Sequence, residues 1–362
     1  MDMNTLAARI REWGRELGFQ EVGIADTDLA GAEAHLERWL QQGRHGEMEW
    51  MAAHGRKRTR PEELEPGTLR VICARMDYLP PESEEAPEKA LEQPERAYIS
   101  RYALGRDYHK LVRKRLARLA ARIREAVPET DVARAFVDSA PVMEKPLAAR
   151  AGLGWQGKHT LLLNRHAGSW FFLGEVYTDL PLPVDTPVTD HCGSCTRCMD
   201  VCPTGAITAP YELDARKCIS YLTIEHRGSI PESLRPLMGN RIFGCDDCQL
   251  FCPWNRYADH TGERDFHPRH GLDQARLAEL FLWDEAQFLQ RTEGSPIRRA
   301  GHEGWLRNIA VALGNGPATD EAIRALRARE HHPSALVREH VRWALRRLES
   351  DTEEGEETAG RH

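Results

Sequence analysis

The sequence has no apolar run near the ~18 residues that a membrane-spanning helix needs, which excludes an integral helical membrane protein. Its opening stretch, Met1 to Arg15, carries charges where an export signal has an apolar core, so a cytoplasmic protein is expected. Positive charge is not in excess: 49 Lys and Arg stand against 56 Asp and Glu, a net charge of −7 that does not advertise nucleic-acid binding. That mean is skewed by the acidic tail from Glu349 to Thr358. There is no Gly-x-x-x-x-Gly-Lys-Ser/Thr and no strict Gly-x-Gly-x-x-Gly, so neither a P-loop nor a dinucleotide fingerprint is present. Cysteine is nearly absent outside one stretch; Cys73, in the strand-like run Arg70-Val-Ile-Cys-Ala, reads as buried core. What remains is a 362-residue chain, long enough for two or three domains and a sizeable core, and expected to be a monomer.

The other eight of the nine cysteines lie between Cys192 and Cys252. Cys192-x2-Cys195-x2-Cys198-x3-Cys202-Pro203 is the bacterial ferredoxin run, in which three thiolates hold one [4Fe–4S] cluster and the fourth crosses to a second. Pro203 forces a turn that sends Cys202 away. Cys245-x2-Cys248-x3-Cys252-Pro253 is the same run with one ligand missing, and Cys218 is the replacement at hand. The sequence predicts one cluster on Cys192, Cys195, Cys198 and Cys252, and another on Cys202, Cys218, Cys245 and Cys248. Cys-x2-Cys also occurs in zinc ribbons, but zinc rarely takes this spacing followed by proline.

Ahead of these cysteines the pattern alternates helices and strands. Helices are expected over residues 4–18, 30–42 and 107–127, and strands over 19–25, 70–74, 161–163 and 170–178. Residues 79–96, rich in Pro and Glu, read as a solvated loop. Tyr98 to Lys110 gathers tyrosines, arginines and His109 before the third helix, a composition suited to a polar ligand. That helix carries Arg113, Lys114, Arg115, Arg118, Arg122 and Arg124, either a solvated face or an anion-binding one. Asp138 stands where a strand ends, a common place for an active-site acid and equally for a helix cap. Gly152 to Thr160 is a glycine-rich loop able to approach a cofactor. Residues 293–348 read as short helices made basic by arginines that include Arg298, Arg299 and Arg307.

Val137-Asp138-Ser139-Ala140-Pro141, Gly152-Leu-Gly154-Trp155-x-Gly157-Lys158, Cys218-Ile-Ser220-Tyr221-Leu-Thr and Gly244-Cys245-Asp246-Asp247-Cys248-Gln249 together resemble the epoxyqueuosine reductase family, from about residue 5 to residue 348. The resemblance implies an oxidoreductase that converts epoxyqueuosine in a tRNA anticodon loop to queuosine, with cobalamin recharged by two [4Fe–4S] clusters and an external electron donor. It implies an α/β (α+β) cobalamin-binding domain over 1–180, a ferredoxin-like double-cluster domain over 181–260 and a helical HEAT-like tRNA-binding module over 261–348. A disordered acidic tail is expected over 349–362. Asp107-Tyr-His109 and Asp265-Phe-His267 lack the later glycine of Asp-x-His-x-x-Gly, so no histidine is expected on cobalt and the cofactor is expected base-off. The resemblance gives Asp138 the role of acid to the departing epoxide oxygen, a role that calls for a raised pKa. Expected cobalamin contacts are Arg60, Tyr102, Asp138, Lys158, His159, Thr160, Ser220, Asp246 and Asp247. Surface charge is the rival explanation for Arg60 and Lys158, and helix capping for Asp246 and Asp247.

Overall fold

Strict alternation builds the first half of the molecule. In the strand Arg70–Asp77, Ile72, Ala74 and Met76 face one side and Val71 and Cys73 the other, and all five are buried. The computed structural model describes residues 2–80 and 87–359. Its main sheet has the order Glu21–Ala25, Arg70–Asp77, Phe171–Thr178, Ala133–Phe136, and every neighbouring pair is antiparallel. The rule placing sites at the C-terminal ends of parallel strands therefore has no purchase here, although Asp138 does follow the last of these strands by two residues.

Two helices cover one face of the sheet. Met3–Glu16 contributes Leu6 and Ile10, and the long helix Tyr108–Ala126 contributes Val112, Leu116, Leu119 and Ile123 at helical spacing. Asp107 caps the long helix by accepting from the His109 amide (3.0 Å). The helix Glu144–Arg150 covers the opposite face with Leu147 and Ala148. Asp138 caps no helix, since this one begins six residues later.

A second core crosses the boundary expected at residue 260. It runs from Ala97–Leu104 through the helix Ile219–Ile224 and the strand Arg241–Phe243 to the C-terminal helices Gly301–Gly314, Asp320–Arg327 and Ala335–Ala359. The short strand Tyr98–Ile99 pairs in parallel with Arg241–Phe243. Arg307, counted above among the cations of a basic module, is 1% exposed. Its guanidinium donates to the carbonyls of Leu222 (2.7 Å), His226 (2.8 Å) and Gly228 (2.9 Å), while Asn308 donates to Thr223 and Ile242. Burial lowers the Arg307 pKa to about 10, and the charge is held by these three carbonyls together with Asn308 Oδ1, which accepts from it at 3.0 and 2.9 Å. Across the tail expected from residue 349, the last helix runs on to Ala359 from the buried positions Val337, Val341 and Leu348. Glutamate is a good helix former, so an acidic stretch can prolong a helix begun on a core. Residues 360–362, and residues 81–86 of the expected solvated loop, lie outside the described residues.

Candidate active site

The eight clustered cysteines line two adjoining spaces. A cavity of about 200 Å³ carries Cys192, Cys195, Cys198 and Cys252. A cleft of about 1200 Å³, between the sheet and the second core, carries Cys202, Cys218, Cys245 and Cys248. Among the described residues no three His, Cys, Asp or Glu side chains converge on a point one ion could share. In a cubane each thiolate binds its own iron, so a ring of separated sulfurs lining a cavity suits that donor set. Local backbone holds the rings in place. The Ala206 amide donates to Cys202 Sγ (3.3 Å), and Lys158 Nζ donates to the carbonyls of Gly193 (2.6 Å) and Cys195 (2.8 Å).

The cleft has an apolar wall and a few fixed polar groups. Phe172 stacks between Tyr108 (3.8 Å) and Tyr78 (4.4 Å), and Phe171 continues the wall. Opposite them lie Ile219 and Ser220, at the start of the helix that follows Cys218. His159 is 3% exposed; its Nδ1 accepts from the Leu161 amide (3.1 Å) and burial lowers its pKa to about 4. The neutral ring therefore carries its proton on Nε2, and that atom is buried at the cleft without a partner. Beside it Thr160 has φ +68°, a left-handed conformation costly for a β-branched residue and recurrent at ligand clamps. An orphaned donor, a strained loop and an apolar wall fit a large flat cofactor with amide edges.

Asp138 lines this cleft, and its surroundings differ from those expected. Its Oδ2 accepts from Tyr108 Oη (2.9 Å) and lies 3.3 Å from His109 Nε2, while His109 Nδ1 lies 2.6 Å from Asp107 Oδ1. Burial alone would raise the Asp138 pKa. The hydrogen bonds from His109 and Tyr108 and the His109 charge outweigh it, so the carboxyl sits below its ordinary range. Burial likewise works against His109, but its two carboxylates prevail and lift its pKa to about 9. At neutral pH the proton is on His109, not on Asp138.

The other expected contacts divide. Tyr102, His159, Thr160 and Ser220 line the cleft, with Tyr102 packed between Tyr108 and Phe243. Asp246 and Asp247 line it too, yet their oxygens are already engaged. Asp246 accepts from Tyr98 Oη (2.9 Å), the Arg101 amide (2.8 Å) and Ser100 Oγ; Asp247 pairs with Arg241 (2.7 Å). Gly244, at φ +71°, permits this seat, because a Cβ there would lie 2.5 Å from Ser100 Cβ. Arg60 is not in the cleft: Glu33 grips its guanidinium at 3.0 and 2.8 Å. Lys158 lines the smaller cavity instead of the cleft, because its ammonium is bound to the first cysteine loop. His109 and Lys145 were missed as site residues. His109 had a signal, the Asp107-x-His109 spacing at a helix start; Lys145 had none beyond its nearness to Asp138.

Two family descriptions match the chain: "Epoxyqueuosine reductase QueG, DUF1730" over residues 58–139 and "4Fe-4S double cluster binding domain" over residues 191–255. An epoxyqueuosine reductase of Pseudomonas aeruginosa is 65% identical over 347 residues, covering 96% of this chain and 95% of that one. A solved epoxyqueuosine reductase with a tRNA-Tyr epoxyqueuosine-modified tRNA stem loop superposes with TM-score 0.86 at 25% identity, over 95% of this chain and 90% of that one. Another, from Bacillus subtilis and described with its catalytic aspartate loop swung out of the active site, gives TM-score 0.85 at 27% identity over 95% and 90%.

Proposed function

The chain belongs to the epoxyqueuosine reductase family, and from that membership we propose how its cleft carries out the last step of queuosine synthesis, reduction of epoxyqueuosine to queuosine at the wobble position of tRNA. Opening the epoxide to an alkene breaks two C–O bonds, forms one C=C π bond and releases water, so it takes two electrons and two protons. When bound, cobalamin supplies a reducible cobalt in the cleft and the two [4Fe–4S] clusters supply single electrons. Cys192, Cys195, Cys198 and Cys252 would hold one cluster; Cys202, Cys218, Cys245 and Cys248 would hold the other beneath the cleft.

The protein's own groups do the rest. His159 Nε2–H, the Thr160 loop and Ser220 would meet the polar edge of the corrin, and Phe171 and Phe172 keep water from its face. The proton that His109 Nε2 holds at neutral pH passes through Asp138 Oδ2 to the departing oxygen, with Asp107 holding the ring's orientation. Lys110, Lys114, Arg298 and Arg299 at the cleft mouth meet the phosphates of the anticodon loop, and the C-terminal helices form the HEAT-like support behind them. The observation that carries this reading is that Asp107, His109 and Asp138 form a hydrogen-bonded row opening into the cleft that four of the cysteines line. Asp138→Asn is expected to bind epoxyqueuosine-containing tRNA as the parent does and to lose turnover. Full activity in that variant, measured by conversion of modified tRNA, would remove Asp138 from the reaction.

A further inference from the structure

Of the nine cysteines, Cys195 alone is exposed; the others are buried or half-buried. Around it the surface changes sign. The cavity of the first cysteine set is walled by Lys158, His191, Arg197 and Arg256 with the exposed ring of Tyr257, and by no aspartate or glutamate. Arg165 extends the rim, its Nη2 2.9 Å from His191 Nε2. Arg165, Arg197 and Arg256 are all exposed, and none has a carboxylate within ion-pair distance among the described residues. Half-buried arginines elsewhere are paired, Arg11 with Asp185, Arg150 with Asp26 and Arg276 with Glu321. Exposed ones such as Arg118 and Arg342 have no such partner among the described residues, and what sets Arg165, Arg197 and Arg256 apart is their gathering around Cys195. The nearby acids are occupied locally, Asp190 by Tyr211 and the Cys192 amide (2.7 Å), Asp200 by Thr196 (2.8 Å).

A chain of net charge −7 thus carries an unpaired cationic ring around its most accessible cluster ligand. Lys158 is bound into the loop through the Gly193 and Cys195 carbonyls, while the three arginines stand exposed at its rim. An exposed tyrosine with Arg256 over its ring (4.6 Å), beside two further exposed arginines, has the composition of a protein-binding centre.

We propose that this face docks a small acidic one-electron carrier protein, of the flavodoxin or ferredoxin class, beside Cys195. The inference rests on the reading above of Cys192, Cys195, Cys198 and Cys252 as cluster ligands. Each encounter oxidises the carrier by one electron, and two encounters supply the two electrons that one epoxide consumes. Complementary charge sets the encounter rate and orientation, so the association weakens with salt.

The test uses the iron- and cobalamin-loaded protein and a triple variant, Arg165→Glu, Arg197→Glu and Arg256→Glu, with the milder triple glutamine variant beside it. Binding of flavodoxin and of a two-cluster ferredoxin is measured by calorimetry at low and high salt. Turnover is driven in turn by each reduced carrier and by titanium(III) citrate, which needs no docking. The expected result is salt-sensitive binding to the parent by at least one carrier, weakened about tenfold or more in the glutamate variant with a matching loss of carrier-driven turnover. Iron content and titanium-driven turnover stay at the parental level. The proposal is overturned if neither carrier binds the parent, or if the variants bind and turn over with the carrier as the parent does. Loss of iron from the parent, or no titanium-driven turnover, would instead sink the cluster assignment beneath it.

Discussion

His109 lies between two carboxylates, and that position decides where the proton waits. A neutral imidazole beside one carboxylate would leave the acid role to Asp138 alone. Here Asp107 and Asp138 both favour the imidazolium, and its pKa of about 9 keeps it charged through neutral pH. The stabilisation from these contacts is complete below pH 6.5, the ordinary histidine value, and is lost as pH rises through about 9. The three groups titrate together, so the alkaline limb of the rate profile belongs to the row. His109→Gln is expected to lower turnover about 10- to 100-fold and to move that limb downward from its parental position near pH 9. A pH–rate profile of the variant parallel to the parent's would show that Asp138 takes its proton from solvent. The Asp107-x-His109 spacing was legible in the sequence, but its bond to Asp138 was not. That bond joins a helix start to a strand end 29 residues later, and only the packing of the long helix on the sheet brings them within reach.

Two elements illustrate opposite ways of being held. The helix Ile219–Ile224, which starts at the thiolate Cys218, is fixed by side chains: Arg307 and Asn308 bind four carbonyls on and around it. Arg307→Met would leave three of those carbonyls buried and unpaired, a loss of about 3 kcal/mol or more. Its denaturation midpoint is expected to fall, with iron lost from the second site; a parental midpoint and iron content would mean water replaces the guanidinium at no cost. Counting arginines had put Arg307 on a basic surface, because residue type alone carries no information about burial. The segment between Leu182 and Ala206 is held otherwise. Cys198 is its sole buried side chain, so apolar burial holds it little; beside polar tethers such as Lys158 on Gly193 and Cys195 and Arg11 on Asp185, its cysteines would fix it through what they bind. Chelating iron under argon is expected to expose this stretch to protease while a fragment ending near Thr178 survives. Simultaneous digestion of both parts would show that the segment supports the sheet.

At the scale of the molecule, spacing-based signals were the legible ones. The cysteine runs, the helix Tyr108–Ala126 and the strand Arg70–Asp77 are encoded locally, as periods and short intervals. Domain limits were less legible, because the second core recruits Ala97–Leu104 across more than a hundred residues of intervening chain. Charge was the poorest guide: Arg60 and Lys158 look alike in sequence, yet one closes on Glu33 and the other on two carbonyls. The long-range strand pair Tyr98–Ile99 with Arg241–Phe243 also sets an order of events during synthesis. Every strand of the main sheet has been made once Thr178 is added, well before the C-terminal helices, so that half can close early. The cleft cannot, since its far wall is stapled to helices whose buried positions reach as far as Leu348 among the described residues. The cysteines are therefore translated before the roof that will enclose them, and metal delivery has an open window that shuts only when the last helix docks.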